Sequence, residues 1–170
     1  MTNEVRLDHT DRRILAVLQQ EGRRTYAEIG ARVGLSAPSV HERVKKLESR
    51  GVITGYAAQV DAPLSGYGVL AFVLVIQDSH ADWDIVSEYF RSLPEIIECH
   101  HVAGEEDFLL KIRARDTLHL ERVLRAVQAG GRVDSTRTMV VLSTPFENRG
   151  VPMEVAESAL KPATGDGRIS

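Results

Sequence analysis

The sequence predicts an α+β chain of two domains, a helix-turn-helix domain followed by a ferredoxin-like βαββαβ sandwich. Three observations carry that prediction. Ser36–Gly51, SAPSVHERVKKLESRG, is a helix with both ends marked and one apolar stripe. Near residue 60 the hydrophobic rhythm changes from helical spacing to continuous and alternating apolar runs. Between the two regimes, Asp61-Ala62-Pro63-Leu64-Ser65-Gly66 has the turn chemistry of a linker.

Asp8 is placed to cap a first helix reaching about Glu21, with Ile14, Leu15 and Leu18 as its buried stripe and Gly22 as its stop. Thr25 followed by Glu28 has capping-box spacing and opens a short second helix whose Ile29 and Val33 face inward. Gly34 and Leu35 make a tight turn into Ser36, the N-cap of the third helix. Val40, Val44 and Leu47 recur at i, i+4 and i+7, so they face one side. Gly51 sits where a left-handed residue ends a helix. Two short helices joined by a glycine-containing turn form a helix-turn-helix, whose second helix enters the DNA major groove. A strand over Val52–Val60 is predicted next, which makes the domain a winged one spanning 1–60.

The second domain is predicted over 68–149, after a 61–67 linker. Val69–Gln77 (VLAFVLVIQ) reads as a buried central strand. A helix over Asp82–Ser92 places Trp83, Val86 and Phe90 on its core side. Strands follow over Ile96–Ala103 and Asp107–Arg115, separated by a Gly104-Glu105-Glu106 turn. Thr117–Gln128 is a helix with a Leu120, Val123, Leu124, Val127 stripe, and Val133–Ser143 is the last strand. The order β-α-β-β-α-β is the split βαβ sandwich, with two helices on one sheet face. The other face needs a cover, and self-association through the sheets supplies one. Residues 150–170 read as a poorly ordered tail, with a short helix over Met153–Leu160.

Composition narrows the function class. Residues 1–60 hold ten Lys/Arg against seven Asp/Glu, while the remainder holds eleven against seventeen. A basic first domain on an acidic second one points to an anionic partner for the first alone. The apolar runs are too short for a membrane-spanning helix, and the N-terminus lacks an apolar signal segment. One cysteine forms no internal disulfide, which fits a cytoplasmic protein.

LDHTDRRIL (7–15), GRRTYAEIGARVGLS (22–36), VHERVKKLESRGVITGY (40–56), HVAGEEDFLLKIR (101–113) and DSTRTMVVLS (134–143) together resemble the Lrp/AsnC family of transcription regulators. The resemblance implies DNA binding by the first domain and binding of an amino acid or related metabolite by the second. It also implies dimers that assemble into higher oligomers such as octamers, and it implies no cofactor.

Within this frame Ser36, Ser39, Glu42, Arg43, Lys45 and Lys46 are the candidate DNA-facing residues. Hydroxyls and a helix N-terminus suit phosphate oxygens, and Arg or Lys can reach guanine edges. Arg43 lies beside the apolar stripe and is equally placed to brace the fold; Arg23 and Arg24 are further phosphate candidates. For the effector the candidates are His101, Gly104, Glu106, Asp107, Thr136, Thr138 and Met139. Gly104-Glu105-Glu106-Asp107 matches the family's Gly-x-x-Asp turn, and a carboxylate such as Asp107 can receive an ammonium. The same residues also make an ordinary β-turn. Cys99-His100-His101 does not make a metal site, because neighbouring strand residues point to opposite faces and two ligands are too few; Cys99 is expected in the core. No nucleophile–base pair or phosphate loop stands out, so an enzyme is not expected. A sirohaem-decarboxylase-like enzyme using His100 and His101 is the alternative on the same architecture, and a ligand-independent architectural DNA-binding protein is another.

Overall fold

The structure, a computed structural model, describes residues 6–130 and 132–153. It divides into a helical unit, formed by residues up to Ala58 together with the segment from Phe146, and a sheet unit over Gln59–Pro145.

In the helical unit, α1 (His9–Gln20), α2 (Tyr26–Val33) and α3 (Ala37–Ser49) each begin at the predicted cap. Asp8 with Asp11 and Thr25 with Glu28 form reciprocal capping boxes, and the Ser36 hydroxyl accepts from the Ser39 N–H. Each such cap contributes about 1 kcal/mol by satisfying an otherwise orphaned N–H. The backs of the helices meet in a core of Ile14, Ile29, Val33, Val40 and Val44, with Leu35 and Ile53 packed against it. Gly34 and Gly51 take φ of 77° and 70°, the left-handed conformation that glycine adopts without cost.

The strand predicted over Val52–Val60 is absent, and with it the wing. Ile53 is held by the helical core and the Tyr56 hydroxyl donates to Glu48 at 2.9 Å, but the stretch runs without a ladder partner among the described residues. Composition assigned Phe146–Arg149 to the second domain and Gly150 onward to a tail. Instead the segment over 146–153 returns to the helical unit, where the Gln19 side chain donates to the Val151 carbonyl at 3.1 Å. The helix expected over Met153–Leu160 lies, beyond Met153, outside the described residues.

The sheet unit has the predicted order: β1 (Val69–Gln77), α4 (Trp83–Arg91), β2 (Ile96–His101), β3 (Phe108–Ala114), α5 (Thr117–Ala129) and β4 (Val133–Val140). The four strands lie in the order β2-β3-β1-β4, all neighbours antiparallel. Register sorts the side chains by parity. Val75 lies opposite Phe108 and Thr136, and Val73 opposite Leu110 and Thr138. This face packs on Val86 and Phe90 of α4 and on Leu120, Val123 and Val127 of α5. Phe90 and Phe108 meet edge to face at 5.5 Å, an arrangement worth about 0.5–1.5 kcal/mol beyond area burial. His119 is buried on α5 yet satisfied: Nδ1 accepts from the Arg115 N–H at 3.2 Å, which leaves Nε2–H to donate to Glu95 at 3.1 Å. On the opposite face Phe72, Leu74 and Leu109 are half-buried, while Ile76 and Met139 are exposed. No helix among the described residues is long and apolar enough to cross a membrane.

Candidate functional site

The turn between α2 and α3 is set by close backbone approach. The Gly34 and Leu35 N–H groups both converge on the Gly30 carbonyl, at 2.8 and 3.0 Å. A Cβ on Gly30 would stand 2.4 Å from the Leu35 carbonyl oxygen, so this turn requires glycine inside α2. It leaves α3 with Val40, Val44 and Leu47 buried and its other side facing outward.

That outer side forms an open groove of about 840 Å³. Ser39, Glu42, Arg43, Lys45 and Lys46 line it, as do Arg6, Ser49 and Arg50, which sequence reasoning did not select, and the α1 capping carboxylates Asp8 and Asp11. Arg50 was legible: it follows Lys46 by four residues and so extends the same face. Ser36 is not in the lining; its hydroxyl is spent on the Ser39 N–H and on the Ser39 hydroxyl at 2.9 Å. Lys45, Lys46 and Arg50 form no ion pair among the described residues.

Arg43 takes the bracing role. Its Nη1 donates to Asp8 and to Asp11, each at 2.7 Å, and so binds α3 to the capping box of α1. The Asp11 N–H and then the Arg43 guanidinium hold the Asp8 carboxyl below its ordinary value, while the two carboxylates push Arg43 upward. Arg24 likewise pairs with Glu21, which leaves Arg23 as the exposed member of that couple.

In the sheet unit the structure divides the seven effector candidates. His101, Thr136 and Thr138 are on the helix-covered side by register, and the Thr136 hydroxyl accepts from Gln128 of α5 at 3.1 Å. Met139 is on the opposite, open side, opposite Phe72. Gly104, Glu106 and Asp107 lie in the turn between β2 and β3, which packs beside the end of β1. Asp107 ties this turn down: its N–H donates to the Val75 carbonyl at 2.9 Å and its carboxylate accepts from the Gln77 N–H at 2.8 Å. Glu106 reaches across β1 to an ion pair with Arg137 of β4, a residue sequence reasoning passed over. Its signal was parity, since Arg137 precedes Met139 by two and therefore shares its face.

Two core expectations are corrected here. Trp83 is 51% exposed and stacks on His101, with ring planes 8° apart and centroids at 5.6 Å. Cys99 is exposed as well, on β2 at the edge of the sheet. His100 and His101 point to opposite sides of β2. His100 joins a polar cluster on the open face, where Glu98 accepts from the buried Lys111 at 2.8 Å and is held low chiefly by that ammonium. With the two histidines on opposite faces of one strand, they do not converge on a common substrate within one chain.

Comparison with known proteins completes the picture. The AsnC-type helix-turn-helix domain model matches residues 7–48, and the Lrp/AsnC ligand binding domain model matches residues 70–151. The leucine-responsive regulatory protein of Rhizobium meliloti is 39% identical over 145 residues, covering 84% of this chain and 93% of its own. This chain belongs to the Lrp/AsnC family. An HTH-type transcriptional regulator of Pyrococcus horikoshii is 33% identical, over 88% of this chain and 99% of its own. A transcriptional regulator of Neisseria meningitidis in complex with L-methionine superposes with a TM-score of 0.84 at 30% identity, covering 88% of this chain and 98% of that one. The feast or famine regulatory protein of Mycobacterium tuberculosis complexed with L-methionine gives 0.81 at 33% identity, covering 86% and 99%. The Lrp/AsnC relatives are transcriptional regulators, and the chain's helix-turn-helix and ferredoxin-like domains place it among them.

Proposed function

We propose that this Lrp/AsnC regulator binds double-stranded DNA through the groove on α3 and responds to an amino acid held by its sheet unit. One observation carries the DNA assignment: Lys45, Lys46 and Arg50 stand unpaired among the described residues along an outward helix face whose back is fully buried. Cations of that kind release counterions on meeting phosphates and give affinity that falls steeply with salt. Ser39 and Glu42 sit among them as the polar groups for base edges and further backbone contacts. Arg43 serves the interface indirectly by fixing α3 to α1. The protein acts in the cytoplasm as a homodimer covered through the open sheet face, where Leu74 and Leu109 are half-buried and Ile76 and Met139 exposed. Dimers assemble further into an octamer, so that several recognition helices engage one DNA segment and avidity raises affinity. The amino-acid effector is supported by the methionine complexes of two structural neighbours.

The test has two arms. Fluorescence anisotropy on duplex DNA across a salt series should give log–log slopes of several units, which fall in Lys45→Ala and Lys46→Ala. Slopes near zero would refute the groove assignment. A thermal-shift screen over the twenty amino acids should give at least one upward shift, ~2.7 kcal/mol of stabilisation at a hundredfold excess over Kd. A flat screen would remove the amino-acid effector and leave constitutive DNA binding.

A further inference from the structure

We infer that His41 gives this protein a proton-dependent grip on DNA: its imidazolium meets a phosphate on the flank of α3, and the contact is lost when the ring is neutral. The inference rests on the DNA reading above and adds to it a residue and a pH response. His41 stands outside the groove lined by Lys45, Lys46 and Arg50. It lies on the shoulder of α3 that faces α2. There its ring packs against Tyr26, the first residue of α2, with centroids 5.3 Å apart and planes at 42°. In a helix-turn-helix the first helix of the pair crosses the DNA backbone while the second enters the groove. A side chain of α3 that touches the start of α2 therefore stands where phosphates run, not base edges. Lys45 follows His41 by one turn, so the two form a line along that flank.

The surroundings leave the ring available. The His41 side chain is 51% exposed, and its Nδ1 stands 3.7 Å from Glu42 Oε1, beyond hydrogen-bond range. The ring makes no hydrogen bond among the described residues. Along α3 it has Glu42 beside it and Lys45 one turn on, charges of opposite sign. On α2, Glu28 accepts from the Thr25 N–H and hydroxyl at 2.7 and 2.8 Å, so its carboxylate is engaged. Beyond Tyr26, the Tyr56 hydroxyl donates to Glu48 at 2.9 Å. Burial first, and then that carboxylate, push the Tyr56 phenol up to about 12, so it stays neutral through the range in which histidine titrates. A phosphate reaching this flank adds an anion beside the ring and so favours its charged form. Binding and protonation therefore assist each other: DNA holds a proton on His41, and a proton on His41 strengthens DNA binding. Affinity rises as pH falls through the histidine range.

The experiment follows the fluorescence anisotropy of a labelled random-sequence duplex with the full-length protein, from about pH 5.5 to about pH 8.5 at several salt concentrations. At low salt the wild type should bind about three- to tenfold tighter at the acid end, since a rise of one pKa unit on binding is tenfold. Its log–log salt slope should be steeper there by up to about 0.9, one phosphate contact. His41→Gln should bind alike across the range, with the affinity and slope that the wild type shows at the alkaline end. His9 is the other histidine of the helical unit, and His9→Gln should keep the wild-type response. His41→Arg carries a permanent charge and should hold the acid-end affinity at every pH. A pH response that survives His41→Gln would overturn the inference, as would a wild type whose affinity and slope do not change with pH. In both cases steep salt slopes leave the DNA reading standing. Slopes near zero at every pH would remove that reading and the inference with it.

Discussion

Replacing Arg43 with alanine separates bracing from DNA contact, because the two roles act on different observables. In the structure Arg43 Nη1 donates to Asp8 and Asp11 at 2.7 Å each, with the side chains of Arg43, Asp8 and Asp11 35%, 54% and 17% exposed. Exposed ion pairs contribute about 0.2–1 kcal/mol, whereas hydrogen bonds to charged groups reach ~1.5–3 kcal/mol when sheltered. The Asp8 contact belongs to the first class and the Asp11 contact lies at the bottom of the second. Together they give about 2 kcal/mol, and the variant also leaves two carboxylates facing each other. For a unit of this size, 1 kcal/mol moves the midpoint by roughly 4–8 °C, so Arg43→Ala should lower it by roughly 8–16 °C. The acid limb provides a second reading. Asp8 is held below its ordinary 3.8 first by the Asp11 N–H and next by Arg43. A lowered carboxyl contributes stability that is complete above its ordinary value and is lost as pH falls through the folded one. The acid-sensitive part of the unit's stability should therefore shrink in Arg43→Ala. Thermal melts by circular dichroism between neutral and acid pH, with DNA anisotropy at several salt concentrations, measure both roles. A bracing residue leaves the salt slope unchanged in whatever protein remains folded. An unchanged midpoint with a slope reduced by about 0.9, one phosphate contact, would refute the bracing role.

Three further outcomes are expected. Lys45→Ala and Lys46→Ala should each reduce the salt slope by up to about 0.9 while leaving the melting midpoint within about 0.5 kcal/mol of wild type, as befits exposed residues; anisotropy and melting check the pair. Gly30→Ala should destabilise the helical unit by more than about 2 kcal/mol, since its Cβ would stand 2.4 Å from a backbone carbonyl oxygen; chemical denaturation measures it, and a near-wild-type midpoint would contradict the turn geometry. Asp107→Ala should cost about 1–2 kcal/mol even without any ligand, because the Gln77 N–H loses its acceptor; a thermal melt of the apoprotein showing no change would return Asp107 to a purely ligand-facing role.

The elements legible in the sequence were those specified by short-range chemistry. Asp8, Thr25 and Ser36 announce helix starts, and each caps the helix it was expected to cap. The Phe108-Leu110-Ile112-Ala114 alternation marks the covered face of β3 for the same local reason. What could not be read depends on partners distant in the chain. Val52–Val60 has strand-like composition, but a strand exists only through a ladder, and no described segment supplies one. Local pattern places Cys99 in the core because it does not tell an edge strand from a central one. Trp83 belongs to the Val86–Phe90 stripe by angle, yet it stands at the first turn of α4, where it covers His101 rather than the core. Arg43 and its two aspartates are 35 and 32 residues apart, beyond any local pattern. Met139 grouped with Thr136 and Thr138 is a different case: strand parity already opposed them, and the register shows it.

The two units together set a quantitative demand on regulation. An effector changes DNA affinity tenfold only if its own affinity for the DNA-bound and free assemblies differs tenfold, a coupling of about 1.4 kcal/mol. A ligand whose surroundings are the same in both assemblies has no source for such a difference. On the open face of this sheet the apolar strip of Leu74, Ile76 and Met139 is what a dimer would bury, and the Glu106–Arg137 pair lies on that same face. Regulation of this kind asks for an effector whose contacts differ between the two assemblies, and not for a large conformational change within the sheet.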